Sequence, residues 1–301
     1  MKKILNTTLS LLMVMLLTLN FTNVQAVSTV TSDDDWISQA LSDYEPLQSL
    51  INEYPETVLI QNDTEYILNE TKKDKDGNIL ETNRKNFSSL LSMQKYEKKL
   101  KEGKNVKELS DGTVIIFSIG DGETKYSTSY SKIKVGLSLY KYSSEKFFVA
   151  NVYEWLTTPD VNWYYDHKAV VGLSLGSQLS MDGPSTYGGR VTLTNYLGET
   201  FMRNNLNGGL TIQATNAEGI GYSINENAQH IGLISGIEGV LSCKATQTNP
   251  SDTACSAFAE YDYVSATLGL NNFSVSFPGG ISFSSATTKT RYTYQNTLDL
   301  R

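Results

Sequence analysis

The sequence has few of the side chains that usually bind metals. Its 301 residues contain only two cysteines and two histidines, His167 and His230. Neither histidine falls at ligand spacing from Cys243 or Cys255, so the sequence predicts no metal site and no cofactor. Six prolines and 22 glycines are not the composition of a disordered chain. We therefore expect a globular protein that folds without a metal.

The two cysteines, Cys243 and Cys255, are predicted to form a disulfide. They lie in the segment LSCKATQTNPSDTACSA, whose residues Asn249–Asp252 are a turn signal between two strands. Disulfides persist in oxidising compartments, and closing a loop of this length stabilises a fold by about 3 kcal/mol in the chain-entropy model. The alternative is a pair of buried free thiols.

Long hydrophobic runs are absent after residue 26. The chain starts with Lys2 and Lys3, continues with an apolar stretch from Ile4 to Leu19, and then offers small residues around Ala26 for a signal peptidase. The apolar stretch is short for a membrane span, and no lipid-accepting cysteine follows it. We predict a signal peptide over residues 1–26 and a secreted, extracellular protein without a stable membrane anchor.

An excess of basic residues is also absent. Loss of Lys2 and Lys3 with the signal peptide leaves 23 basic residues against 32 acidic ones, a net charge of 23 − 32, about −9. Nucleic acids and anionic lipids both require a basic surface. The sequence therefore predicts no nucleic-acid partner.

Residues 27–103 are predicted to form helices and one β-hairpin. Apolar residues recur at helical spacing over residues 32–54, where Pro46 can open a second short helix. Residues 56–82 read as a hairpin around the turn dipeptide Asp76-Gly77. The clearest helix spans residues 86–101 and ends in lysines, which suit a helix C-terminus.

Residues 104–301 alternate with a period of two and are predicted to form an antiparallel β-sandwich domain. Turn signals, among them Gly188-Gly189, separate short strands without intervening helices. The predicted core-facing residues are Ile133, Val135, Leu137, Leu139, Val171, Leu173, Leu175, Val191, Leu193, Leu210, Ile212, Ala214, Phe273, Val275 and Phe277. A barrel is the alternative closure. The predicted fold class is thus mainly β, with the N-terminal helices and hairpin packed beside the sandwich.

One segment matches the G-x-S-x-G pattern of secreted esterases, in which Ser174 would be the nucleophile. That motif needs a helix directly after the serine, whereas Gly183 and Pro184 interrupt the following residues. The pentapeptide VGLSL of residues 171–175 also occurs at residues 135–139, where the motif fails because Tyr140 replaces the last glycine. The shared pentapeptide therefore indicates a strand with leucines on one face and glycine and serine on the other.

An aromatic cluster is the predicted ligand-binding site. Flat rings beside a turn can stack on sugars, and neighbouring carboxylates can bind hydroxyl groups. The candidate residues are Trp155, Trp163, Tyr164, Tyr165 and Asp166. The alternative is that these rings cap the core of the sandwich.

The same region carries a local resemblance. The pattern Tyr153-Glu154-Trp155, Pro159, Asp166 and Val170-Val171-Gly172 resembles a segment of uncharacterised secreted proteins of Gram-positive bacteria. The resemblance spans about 25 residues. It implies export and a β fold, and it implies no activity.

Two acids, Glu260 and Asp262, are two positions apart. On a strand they share a face about 7 Å apart, within reach of a glycosidase pair or a cation, although any solvated strand shows this spacing. We expect no catalytic constellation. The sequence thus predicts a non-catalytic extracellular binding module for a cell-surface glycan, cell wall or protein. The alternatives are a membrane-active, pore-forming or bacteriocin-like protein and, third, a secreted hydrolase.

Overall fold

A computed structural model of the chain describes residues 35–76, 78–108, 114–120, 123–157, 167–183, 186–195, 197–204, 210–225, 234–265, 274–277, 280–282 and 287–301. Among these residues the helices are α1 (Asp35–Leu41), α2 (Glu45–Glu53) and α3 (Leu90–Lys101). The strands are β1 (Val58–Asp74), β2 (Ile79–Phe87), β3 (Asn105–Glu108), β4 (Val114–Gly120), β5 (Glu123–Ser143), β6 (Lys146–Trp155), β7 (His167–Leu175), β8 (Leu179–Met181), β9 (Gly188–Asn195), β10 (Thr200–Asn204), β11 (Leu210–Thr215), β12 (Gly219–Asn225), β13 (Ile234–Gln247), β14 (Ala254–Ser265), β15 (Ser274–Ser276), β16 (Gly280–Ser282) and β17 (Thr287–Asp299). The predicted signal peptide lies outside the described residues.

The strands form two large antiparallel sheets. The first sheet has the order β10-β9-β13-β6-β5-β1-β2. Strand β8 pairs with β13 on the same side as β9. Strand β4 pairs with β5 on the same side as β6, and β3 pairs with the other side of β4. The second sheet has the order β11-β12-β7-β14-β17, and β15 and β16 form a separate small hairpin. This arrangement confirms the predicted mainly-β, antiparallel sandwich.

The apolar residues of alternating strands meet between the two sheets. Leu137 and Leu139 of the first sheet and Leu173 and Leu175 of the second are all completely buried in one core cluster. Burying a leucine side chain contributes about 1.5–3 kcal/mol, so this layer contributes strongly to stability. The predicted core positions Ile133, Val135, Val171, Val191, Leu193 and Leu210 belong to the same cluster. The side chains of Ile212, Ala214, Phe273 and Val275 lie outside the described residues, and Phe277 is only half-buried.

Helices α1 and α2 cover the outer face of the first sheet. Pro46 lies at the start of α2, as predicted, where its missing N–H leaves no hydrogen bond unmade. The buried helix residues are Ile37, Leu41, Tyr44, Leu47 and Leu50, which pack on Tyr140, Tyr142, Phe148, Ala150, Val152 and Val240. Strand β6 is therefore buried on both faces.

The N-terminal hairpin is hydrogen-bonded into the first sheet. Strand β1 pairs with β5 from Val58 to Asp74 and with β2 on its other side. Helix α3 packs on this part of the sheet, with Met93 against Tyr66 and Leu68. Ser89 caps α3 by accepting a hydrogen bond from the Ser92 N–H, and three lysines occupy its last turn.

Candidate binding site

Ser174 lies on a strand and is 1 % exposed. Strand β7 ends at Leu175, and the chain then turns through residues 177–178 into β8, so the helix of a nucleophile elbow does not follow. The Ser174 hydroxyl is buried without a hydrogen-bond partner among the described residues. An isolated, inaccessible hydroxyl cannot attack a substrate, so the esterase interpretation of this motif has no support.

Glu260 and Asp262 do share one face of β14, and both are buried. Both carboxylates bind the same guanidinium: Arg291 Nε lies 2.9 Å from Glu260 Oε1, and Arg291 Nη2 lies 2.8 Å from Asp262 Oδ2. Burial raises the pKa of Asp262, and Arg291 opposes that rise. The described residues hold no cluster of three or more potential metal ligands. The arrangement is an ion cluster that joins β14 to β17.

The predicted aromatic site is only partly described. Trp155 is 6 % exposed and belongs to the core between the sheets. Its ring makes edge-on contacts with Tyr261 and Tyr292, at centroid distances of 5.0 and 5.1 Å. A ring in this position caps the core, which is the alternative raised by the alternating pattern. Trp163, Tyr164, Tyr165 and Asp166 lie outside the described residues.

The predicted disulfide is absent from the structure, where both cysteines are free, buried thiols. Cys243 lies on β13 and Cys255 on β14, and these strands belong to different sheets. The turn signal between them therefore connects the two layers of the sandwich and does not close a hairpin of paired strands. Burial raises the pKa of Cys255 to about 11 and raises that of Cys243 further, so both are protonated at neutral pH.

A pocket of about 370 Å³ lies between helix α2 and the first sheet. Its size falls within the usual range of small-molecule and side-chain pockets. Three parts of the chain line it: the α1–α2 connection with the start of α2, the β9 strand with the residues before it, and the neighbouring strands β10 and β13. The lining residues are Asp43, Tyr44, Glu45, Pro46, Ser49, Thr186, Tyr187, Gly188, Gly189, Arg190, Met202, Asn204 and Lys244.

Gly188 lets the α1–α2 connection approach the sheet beside this pocket. A turn is predicted at Gly188-Gly189 from the sequence, whereas the structure places both residues in β9. A Cβ atom on Gly188 would lie 2.5 Å from the Tyr44 hydroxyl oxygen and 2.8 Å from Pro46 Cγ. The small residue is thus needed where the α1–α2 connection touches the sheet, and the sequence alone contains no sign of that contact.

Arg190 is fixed at the edge of the pocket. Its Nη1 lies 2.7 Å from Asp43 Oδ1, its Nη2 donates to the Ala40 carbonyl at 2.6 Å, and its guanidinium stacks over the Tyr44 ring. The Tyr44 hydroxyl is in turn 2.9 Å from Ser242 Oγ. The arginine therefore supports the pocket wall, and its charge is balanced by Asp43.

Lys244 is held more weakly. Its Nζ lies 4.0 Å from Glu53 Oε2 and 5.8 Å from the centroid of the Tyr142 ring, and its side chain is 27 % exposed. A pair at this distance is too long for a hydrogen bond, so the ammonium keeps donors for a ligand. Met202, which is 52 % exposed, supplies the accessible apolar surface. The pocket therefore places the Lys244 ammonium close to an exposed apolar side chain.

Comparison with known proteins does not assign this site. No family model and no curated protein matches the sequence. Among solved structures, the chain is similar to the collagen-binding domain of a Staphylococcus aureus adhesin, with 10% identity, a TM-score of 0.28, and coverage of 51% of this chain and 88% of that one. A pore forming protein gives 9% identity, a TM-score of 0.32, and coverage of 66% and 97%. The pilus backbone of Streptococcus pneumoniae gives 11% identity, a TM-score of 0.29, and coverage of 52% and 67%.

These similarities are too low to transfer a function or a residue. The local resemblance to uncharacterised Gram-positive secreted proteins accordingly stays a prediction, as does secretion itself. No helix within the described ranges is long and apolar enough to cross a membrane.

Proposed function

We propose that this chain is a non-catalytic extracellular binding module and that its ligand enters the pocket between α2 and the first sheet. The observation that carries the proposal is Lys244, whose ion pair within the described part of the chain is the long one with Glu53, beside the exposed thioether side chain of Met202. The contacts of Arg190 with Asp43 and the Ala40 carbonyl hold this side of the pocket in place before a ligand binds.

The surface of the pocket favours a protein ligand over a glycan. Sugar sites usually present an exposed aromatic face, but Tyr44 and Tyr187 are only 1 % and 7 % exposed. The exposed apolar side chain is Met202, a flexible residue type that adapts to peptide side chains. The ligand class we propose is an extracellular protein segment that inserts an acidic residue next to an apolar one.

A paired array experiment tests this proposal. The mature chain would be incubated with an array of synthetic random nonapeptides and, in parallel, with a glycan array. We expect it to retain peptides that carry an aspartate or glutamate beside an aliphatic residue. Lys244→Gln should weaken this binding about tenfold, because it removes one charge-assisted hydrogen bond worth roughly 1.5 kcal/mol.

A matched control comes from a second exposed apolar residue. Met202→Ser should also weaken binding, whereas Leu197→Ser should not, because Leu197 is 84 % exposed and does not line the pocket. Retention of glycans and not peptides would overturn the choice of ligand. Peptide binding that survives both Lys244→Gln and Met202→Ser would overturn the choice of site.

A further inference from the structure

Strand β2 is an edge strand that is exposed along its length. Among the described residues it pairs only with β1, and eight of its nine residues are exposed. An edge strand of this kind presents a row of backbone N–H and C=O groups that can pair with another strand. Proline, which would block such pairing, is absent from its sequence ILETNRKNF.

The sequence of β2 is complementary to itself in one register. Full antiparallel overlap of Ile79–Phe87 with a second copy places Asn83 on the two-fold axis, because Asn83 is the central residue. In that register Glu81 of each copy lies opposite Lys85 of the other. The register of β2 with β1 is regular from Glu81 to Phe87 and shifts at Leu80. Charge complementarity within the regular part thus selects this register.

The relevant side chains share one face of the sheet. In the pairing with β1, Glu81 lies opposite Lys72, Asn83 opposite Glu70, and Lys85 opposite Leu68. Residues two apart on a strand point to the same face, which here is the face that carries α3. Asn83 Nδ2 donates to Glu81 Oε1 at 2.9 Å, and Lys85 Nζ lies over the Tyr96 ring at 4.1 Å. The ring contact leaves ammonium donors for a carboxylate of the second copy.

We infer that β2 is a homodimer interface, at which two copies of this chain pair their β2 strands antiparallel about Asn83 and join their first sheets into one. Charged residues usually protect an edge strand from pairing. Here the opposite charges stand at equal distances on either side of the central residue, so self-pairing brings unlike charges together. The interface lies on the edge of the first sheet opposite to β10 and is separate from the proposed pocket.

A cysteine placed on the two-fold axis tests the register directly. Directly opposite residues of an antiparallel pair have Cα atoms about 4.5–5.5 Å apart, which a disulfide can span. In the mature chain, Asn83→Cys should therefore form a covalent dimer under mild oxidation at least tenfold faster than Leu80→Cys, whose counterpart in the second copy is Asn86. The native cysteines are buried and do not compete. Equal rates for the two variants would overturn the proposal.

Charge reversal provides a second measurement, by sedimentation equilibrium. Glu81→Lys and Lys85→Glu should each weaken dimerisation at least tenfold, because each sets like charges opposite one another twice. The double variant E81K/K85E restores unlike pairs and should recover dimerisation to within about threefold of the original chain. Circular dichroism of each variant confirms that it is folded. A chain that stays monomeric at all concentrations, or a folded double variant that stays as weak as the single ones, would contradict the inference.

Discussion

The pentapeptide VGLSL occurs twice, once in β5 at residues 135–139 and once in β7 at residues 171–175, and the two copies make an internal comparison. On one face they behave alike, since their leucines are completely buried in the same core. On the other face they differ. Gly136 of β5 packs under helix α1, whereas Gly172 of β7 lies opposite the buried acid Glu260.

This difference shows what alternation encodes and what it leaves open. A face of aliphatic residues specifies burial against another such face, so the core follows from the pattern. A face of glycine and serine specifies only that another part of the chain can pack closely on the strand. Which group approaches depends on distant parts of the chain, an N-terminal helix in one copy and Glu260 in the other.

The largest effect is expected from the ion cluster beside β7. Arg291→Met removes the guanidinium that binds two buried carboxylates and should lower the free energy of unfolding by about 3–5 kcal/mol at neutral pH. Arg301→Met is the control, because its pair with Asp299 is exposed to solvent and should contribute little to stability. Urea unfolding followed by circular dichroism measures both, and equal losses would contradict the cluster's role.

The same variant has a predicted pH dependence. Burial already raises the pKa of Asp262 in the folded chain, and loss of Arg291 raises it further. A carboxyl whose pKa is higher folded than unfolded binds its proton more tightly in the folded state, so stability falls as pH rises through that interval. The difference in the free energy of unfolding between Arg291→Met and the unchanged chain should therefore become smaller from pH 7 to pH 4. A difference that stays constant over this pH range would indicate that the buried carboxylates do not cause the loss of stability.

The shared leucine face predicts equal effects in the two copies. Leu137→Ala and Leu173→Ala each remove a completely buried side chain and should each cost about 2–5 kcal/mol. Thermal and urea unfolding of the two variants would check this. A loss in only one of them would mean that the two copies do not contribute to a single core.

On the glycine and serine face of β5, we predict a loss of stability that depends on helix α1. A Cβ atom on Gly136 would lie 2.5 Å from Ile37 Cδ1, so Gly136→Val should cost about 1–3 kcal/mol through overpacking. In the double variant with Ile37→Ala the two losses should be less than additive, because the clash is relieved. Strict additivity in a double-mutant cycle would show that α1 does not pack on this glycine.

The smallest expected change concerns the two thiols in the shared core. Cys243 and Cys255 are buried and protonated at neutral pH, so neither should react with a colorimetric disulfide reagent in the native state. Two thiols per chain should react after unfolding in guanidinium without reductant. A count of zero after unfolding would show a disulfide and contradict the structure.

The sequence predicts the fold better than the site. Period-two alternation and helical spacing are local signals: the first correctly locates the core-facing leucines, and the second locates the helices before residue 104. The predicted start of α3 at residue 86 is wrong, because residues 86–87 end strand β2 and the helix begins at Leu90. The pocket depends instead on contacts between distant residues. Arg190 and Asp43 are 147 positions apart, and Lys244 and Glu53 are 191 apart, so no local spacing connects them. Gly188 contacts Tyr44, which also lies far away in the sequence. No local signal therefore distinguishes this glycine from a turn residue.

We propose that the functional site is the pocket between α2 and the first sheet and not the G-x-S-x-G segment. Peptide binding by Lys244→Gln and Ser174→Ala, compared with the unchanged chain, tests it most directly. Ser174 has a buried hydroxyl without a described partner, so its replacement by alanine should leave the affinity unchanged. Lys244→Gln should lower the affinity about tenfold. Loss of binding in Ser174→Ala together with full binding in Lys244→Gln would show that the pocket is not the binding site.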